Sequence, residues 1–251
     1  SENINSVGVQ IFNNQTQWAV NSVDSINILF VTHLGDVVND YWSITQWQNA
    51  YQSMTRLEDQ VPWAVLPGNH DGFNVGSPGE DLSNYINYFV APNSFQLFSA
   101  GNDEYLIFHL QYNPNNNVLA WANTIIAQYP TRRVIVSTHS YLNLAGSRTM
   151  IGERIWQNFV VPHADQVFLV LCGHIHGEAR RSDLVNGNTV YQILSDYQSR
   201  TNGGNGWLRI FSFHPVEDRI YVSTYSPYLN SYENDQSSAF TLNYDMTSSQ
   251  P

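Results

Sequence analysis

The pattern of apolar and polar positions divides the chain into two regimes. Over the first two thirds, apolar runs alternate with helical spacings. Residues 26–32 (INILFVT) form a continuous apolar run that ends at Gly35-Asp36. Such a run is the signature of a strand covered on both faces. Residues 9–23, with Ile11, Trp18 and Val23, read as a loop entering a helix. Residues 43–59 carry Ile44, Trp47, Tyr51 and Met54 at helical spacing behind Ser43, a candidate N-cap. The run at 61–66 predicts the next strand, closed by Pro67-Gly68. Helices are predicted over 80–90, over 117–129 (ended by Pro130) and over 152–161. Residues 95–99 and 105–112 predict a hairpin, and 134–138 and 167–171 predict strands. From 178 to 245 the pattern changes to short alternating strands with Asn-Gly, Gly-Gly and Glu-Asp turns. One domain over 1–246, with packed sheets and outer helices, accounts for both regimes. Residues 247–251 are a polar tail.

Composition narrows the function classes. The chain has 251 residues, 42% hydrophobic and 14% aromatic, which is enough for a sizeable core and excludes wholesale disorder. No apolar run reaches the ~18 residues of a membrane span. The net charge is −11 and the pI about 4.9. That argues against a nucleic-acid partner bound by phosphate neutralisation. All ten basic residues are Arg. A single cysteine, Cys172, excludes an intrachain disulfide. An acidic, Asn-rich, Lys-free composition is expected of a secreted or extracytoplasmic protein. A chain that opens on Ser1 without a signal peptide reads as a processed or trimmed product. Nothing in the sequence sets an oligomeric state.

The candidate chemistry repeats one design. An apolar strand ends, a Gly or a turn follows, and a metal-capable residue stands there: Asp36, Asn69-His70-Asp71, His139, and His174-Ile175-His176. Layered α/β folds gather ligand-binding residues at the carboxyl ends of strands. The two histidines of the His-x-His could each serve a different ion. A carboxylate such as Asp36 can bridge two cations, and Asn69 offers a neutral oxygen. Mixed nitrogen and oxygen donors suit Zn, Mn, Fe or Co.

Taken in order, Gly35-Asp36, Gly68-Asn69-His70-Asp71, His139 and Gly173-His174-Ile175-His176 resemble the motifs of the calcineurin-like metallophosphoesterase superfamily. The resemblance covers essentially the whole chain. It extends to secreted bacterial members through Asn14-Gln15-Thr16-Gln17-Trp18, Asp196-Tyr197-Gln198 and Gly206-Trp207-Leu208-Arg209. It implies an α/β fold, an αββα sandwich of two mixed sheets with outer helices. It also implies a two-metal centre of divalent or trivalent transition ions that hydrolyses a small phosphomonoester or phosphodiester with a metal-activated water. Carried over by position, it implies that Asp36 bridges the metals. Asn69, His139 and His174 complete one site, and His176 belongs to the other. His70 is then the non-ligand histidine that assists the leaving oxygen, and Asp71 orients it.

One family motif is not found. An Asp-x-His is expected at the end of a first strand, ahead of the first helix. Only Glu2 and Asp24 precede Asp36 as acids, and neither has His two residues on. Three readings account for this: a fragment cut after that strand, a variant with one weakened metal site, or another segment, residues 3–9, in the slot. Under the first two, the His176 site draws only Asp36 and His176 from the chain, short of the about three protein ligands of a catalytic ion. One strong and one weak metal site are therefore expected. The alternative function is a weakly active or non-catalytic binding module on the same scaffold; a mononuclear hydrolase is a third reading. Of the other histidines, His33 and His109 read as structural, and His163 and His214, each beside a Pro, as surface turns. Cys172 reads as a core residue. Tyr141, Arg148 and Tyr197 are candidates for the cleft rim, and Arg180-Arg181 for a solvated strand face.

Overall fold

The computed structural model describes residues 6–246. Helix α1 (Ser6–Ile26), strand β1 (Val31–His33), helix α2 (Ile44–Met54) and strand β2 (Trp63–Val65) open the chain. Helix α3 (Ser83–Phe89) leads into a hairpin of β3 (Ser94–Ala100) and β4 (Asp103–Leu110). Then come α4 (Asn116–Ile126), β5 (Arg133–Thr138), α5 (Met150–Ile155) and β6 (Val167–Cys172). The rest is mostly strand: β7 (Gly177–Val185), β8 (Asn188–Asp196), β9 (Leu208–His214), β10 (Arg219–Ser226), β11 (Ser231–Glu233) and β12 (Phe240–Asn243).

One layer is a six-stranded mixed sheet in the order β3-β4-β5-β6-β8-β7. Its central strands run parallel, and its two outermost pairs are antiparallel. The facing layer comes in two pieces. One is the parallel pair β1-β2; the other is the antiparallel set β9 to β12 arranged on β10. Three apolar clusters show how the layers stack. The first packs Leu119 and Ala122 of α4 and Ile155 of α5 on one face of the large sheet, against Phe108, Val136 and Val170. The second fills the space between sheets, where Ile107, Ile135 and Leu169 meet Ile220, Val222 and Leu242. The third packs α1, α2 and α3 on β1-β2 around the fully buried Trp47. The result is the αββα sandwich, with adjacent residues of one strand serving different interfaces because side chains alternate.

Several elements differ from the sequence expectation. Helix α1 is already regular at Ser6, where a loop was expected. Of the apolar run 26–32, only 31–32 lie in a strand, and β1 is half-buried instead of covered. Ser43 stands at the N-cap of α2 in extended conformation, but its side chain makes no capping bond. The expected helix 152–161 continues α5 as a π turn over 156–160 and a 3₁₀ turn over 161–163, where Pro162 lacks the amide a helix needs. Asn115 and Thr149 cap α4 and α5 with side-chain oxygens on backbone N–H groups.

Among the described residues, one edge of β1 has no partner strand. β1 pairs with β2 alone, and β9 pairs with β10 alone, among the described residues. Their open edges line one apolar cavity of about 1040 Å³, floored by Ile107, Ile135 and Leu169 and roofed by Ile11, Phe12 and Ala19 of α1. A strand in a two-sheet sandwich occupies about 4.8 Å across, about 10 Å between sheets and about 3.3 Å per residue. The cavity therefore has the size of about seven strand residues. Residues 6–9 do not fill it, because they belong to α1; residues 3–5 and the tail 247–251 lie outside the described residues.

Candidate metal centre

The strand ends converge at one mouth of this cavity, and each functional side chain is set by local backbone. Gly35 has φ +94 and Asp36 φ 51, so the chain leaving β1 turns sharply through the left-handed region. A non-Gly residue there is held by its surroundings. A Cβ on Gly35 would meet His139 Nδ1 at 2.7 Å, and one on Gly68 would meet Asp36 Oδ1 at 2.1 Å. Glycine at both positions lets the loops after β1 and β2 close onto each other.

The buried Asp36 carboxylate is the hub. Its Oδ2 lies 3.1 Å from His139 Nε2, and its Oδ1 accepts from the His70 backbone N–H at 2.9 Å. His139 Nδ1 donates to the Leu34 carbonyl at 2.7 Å. That bond turns Nε2 inward, toward Asp36 and toward Asn69 Oδ1 at 3.1 Å. The His174 ring stands 4.9 Å from that of His139. Asp36, His139 and His174 offer ligand atoms that all lie within 4.8 Å of one another. Tyr112, past the end of β4, packs its ring on both histidines.

Charge is shaped by burial and by this pairing. Burial acts to raise the Asp36 carboxyl, but His139 and the His70 N–H outweigh it and hold the group below its ordinary range. Burial acts to lower His139, and Asp36 outweighs it and raises it. Burial and the neighbouring His139 push His174 down to about 4, so its ring is neutral near pH 7. Burial and the charge of Asp36 push Asp71 up to about 7, opposed by backbone N–H groups.

The structure brings Asp36, Asn69, His139 and His174 together, and His176 is not one of the group whose ligand atoms meet within 4.8 Å. His174 has φ 69, so the His-x-His is folded and not extended. His176 is exposed, with Nε2 2.5 Å from the Gln198 carboxamide. The His70 ring is oriented by the Asn39 carbonyl, 2.9 Å from Nδ1. Asp71 was expected to orient that ring. Its carboxylate instead accepts from Gly68 N at 2.8 Å and Val38 N at 3.0 Å, stapling the two site loops. Of the expected rim residues, Tyr141 is fully buried. Arg148 stacks on Trp156 at 3.7 Å and pairs with Asp183 at 3.2 Å. Tyr197 does line the cavity that reaches Asp36, His139 and His174, and its hydroxyl joins a buried network with Arg209 and Glu178. Apolar burial ties Tyr141 down and ion pairing ties Arg148 down. Asn39, Tyr112 and Gln198 were not foreseen. Tyr112 and Gln198 follow strand ends just as the expected ligands do, which is the signal that could have found them.

The donor set fits a transition ion. It is a bridging-capable carboxylate, a neutral amide oxygen and two imidazoles, one oriented by a backbone carbonyl, as metal-binding histidines usually are.

The uncharacterized protein YvnB of Bacillus subtilis (strain 168) is 32% identical over 266 residues, aligned to 94% of this chain. The chain spans 20% of that relative's length. Purple acid phosphatase PPD1 from yellow lupin (Lupinus luteus) seeds shares the fold, with TM-score 0.61 at 14% identity over 93% of this chain and 49% of its own. A dimetal phosphatase from Danio rerio does so with TM-score 0.59 at 14% identity, over 93% of this chain and 89% of its own. The profile of the calcineurin-like phosphoesterase family matches residues 12–178, the stretch that carries Asp36, Asn69, His70, His139, His174 and His176, and the chain belongs to that family.

Proposed function

We propose that this chain hydrolyses a small phosphomonoester or phosphodiester with the help of transition-metal ions. The observation that carries the reading is the convergence of Asp36, His139 and His174 ligand atoms within 4.8 Å, at strand carboxyl ends and beside His70. Asp36, Asn69, His139 and His174 would hold one ion, and Asp36 with His176 a second, weaker one. Bound ions would polarise the phosphoryl oxygen and acidify a water. The chain's own groups do the rest. Leu34 and Asn39 fix two imidazoles through their carbonyls. With Nδ1 on Asn39, His70 exchanges a proton with the leaving oxygen through Nε2. The Asp71 staple keeps the loops that carry Asp36 and His70 in register.

The slot between β1 and β9 bears on the second ion. It reaches His33, Gly35, Asp36 and His174 at one end, so a strand lying in it would end at the metal centre. The test is elemental analysis of protein purified without chelator, joined to hydrolysis of 4-nitrophenyl phosphate and bis(4-nitrophenyl) phosphate. Bound metal and turnover of either ester are expected, both lost in His139→Ala. Metal-loaded protein that turns over neither ester overturns the reading and favours the binding-module alternative.

A further inference from the structure

Trp42 is the exposed exception among the tryptophans. It is 67% exposed, whereas Trp18, Trp47, Trp63, Trp121, Trp156 and Trp207 are buried or half-buried. Tyr41 meets it edge-on at 4.9 Å, and Phe73, itself 51% exposed, lies 6.5 Å from Tyr41. The three rings come from the two loops that carry Asp36 and His70. Asn39, whose carbonyl holds the His70 ring, precedes Trp42 by three residues, and Phe73 follows His70 by three. Three residues span at most ~11 Å, so both rings stay close to the group that serves the leaving oxygen.

The backbone under these rings is pinned. Gln46 Oε1 accepts from the N–H groups of Asn39 and Asp40 at 2.8 and 3.0 Å. The Tyr41 carbonyl accepts from Trp47 Nε1 at 2.7 Å and Asn84 Nδ2 at 2.9 Å. Phe73 and Asp81 exchange backbone hydrogen bonds at 3.0 and 2.9 Å. An exposed indole on a fixed loop is not needed for the core and has little ordering left to lose when it binds a flat partner.

We infer that Tyr41, Trp42 and Phe73 form a stacking platform for an aromatic ring carried by the substrate, so that the preferred phosphoesters bear a base or an aryl group. The inference rests on the phosphoester reading and names its substrate class. Stacking of one base on an aromatic side chain typically changes affinity by about tenfold.

The experiment compares adenosine 5′-phosphate with ribose 5-phosphate, each as monoester and as methyl diester. Both leave through the primary 5′-hydroxyl of a ribose and differ in the base, so the chemical step is closely matched. The expected result is a KM about tenfold lower for the adenosine ester. Trp42→Ala and Phe73→Ala should erase that preference with kcat nearly unchanged, and Trp42→Phe should keep most of it. Equal KM values, or a preference that survives both alanine variants, overturns the platform while the phosphoester reading stands. If only the 4-nitrophenyl esters are hydrolysed, the same ratio is read from competitive inhibition. No hydrolysis of any ester overturns the phosphoester reading itself, and the platform with it.

Discussion

At the scale of single residues, the site rests on one pair. His139 and Asp36 meet in a buried setting, and each shifts the other. The folded His139 pKa is raised, so its contribution to stability is fully present below about 6.5 and is lost as pH rises through the folded value. The folded Asp36 pKa is lowered, so its contribution is present above about 4 and is lost only in strong acid. In metal-free protein the urea-midpoint advantage of the parent over His139→Gln should therefore be larger at about pH 6 than at about pH 9, each unit of His139 shift being worth about 1.4 kcal/mol. An equal advantage at both pH values would refute the assignment. Metal ligation and proton exchange should also separate. His70→Gln should keep the metal content and lower turnover by ~10²–10⁴-fold. Gly68→Ala should lose metal outright, since its Cβ would sit 2.1 Å from Asp36 Oδ1. Turnover of His70→Gln close to the parent rate would remove His70 from the chemistry. The candidate ligand residues were legible because each follows the end of an apolar run. The roles of Asn39 and Leu34 were not, because a backbone carbonyl leaves no trace in side-chain identity. His109 shows the same limit. Its Nε2 bonds Thr32 of β1 at 2.9 Å, and Thr32 also meets Ser137 of β5 at 3.1 Å, a thread between the two sheets that sequence gives no hint of.

At the scale of elements, the slot is the feature that local pattern could announce only indirectly. Strands β5 and β6 match their expected runs because both are flanked and fully buried. The run before Gly35 looks equally apolar, yet it forms only three strand residues, because apolarity reports burial and not the presence of a hydrogen-bonding neighbour. The slot makes β5 asymmetric. Val136 faces the close-packed α4 and α5 layer, whereas Ile135 lines the cavity. Enlarging a side chain in a packed core usually costs about 1–3 kcal/mol. Val136→Phe should show that cost in urea unfolding. Ile135→Phe should be neutral or stabilising, because the added ring enters open apolar space. A comparable loss at both positions would mean that the cavity is already filled in solution.

At the scale of the whole molecule, charge and site pull in opposite directions. The four layers bring the proposed phosphoester site to one strand-end cleft, but the chain around it carries a net charge of −11. All ten basic residues are Arg, and several are engaged by carboxylates: Arg148 with Asp183, Arg133 with Asp103, Arg200 and Arg209 with Glu178. A phosphate ester therefore approaches a molecule of like sign and meets attraction only near the metal centre. Screening reaches about 30 Å at 0.01 M salt and about 8 Å at 0.15 M. Added salt thus weakens the long-range repulsion of the whole surface before it weakens short-range attraction in the cleft. KM for an anionic ester should fall severalfold as salt is raised from about 0.01 M to about 0.15 M, with kcat little changed. A basic phosphate-binding surface would give the reverse, with KM climbing as counterions compete. A rise in KM over this range would mean that the metal centre's field dominates even at long distance, and that the acidic surface has no part in substrate approach.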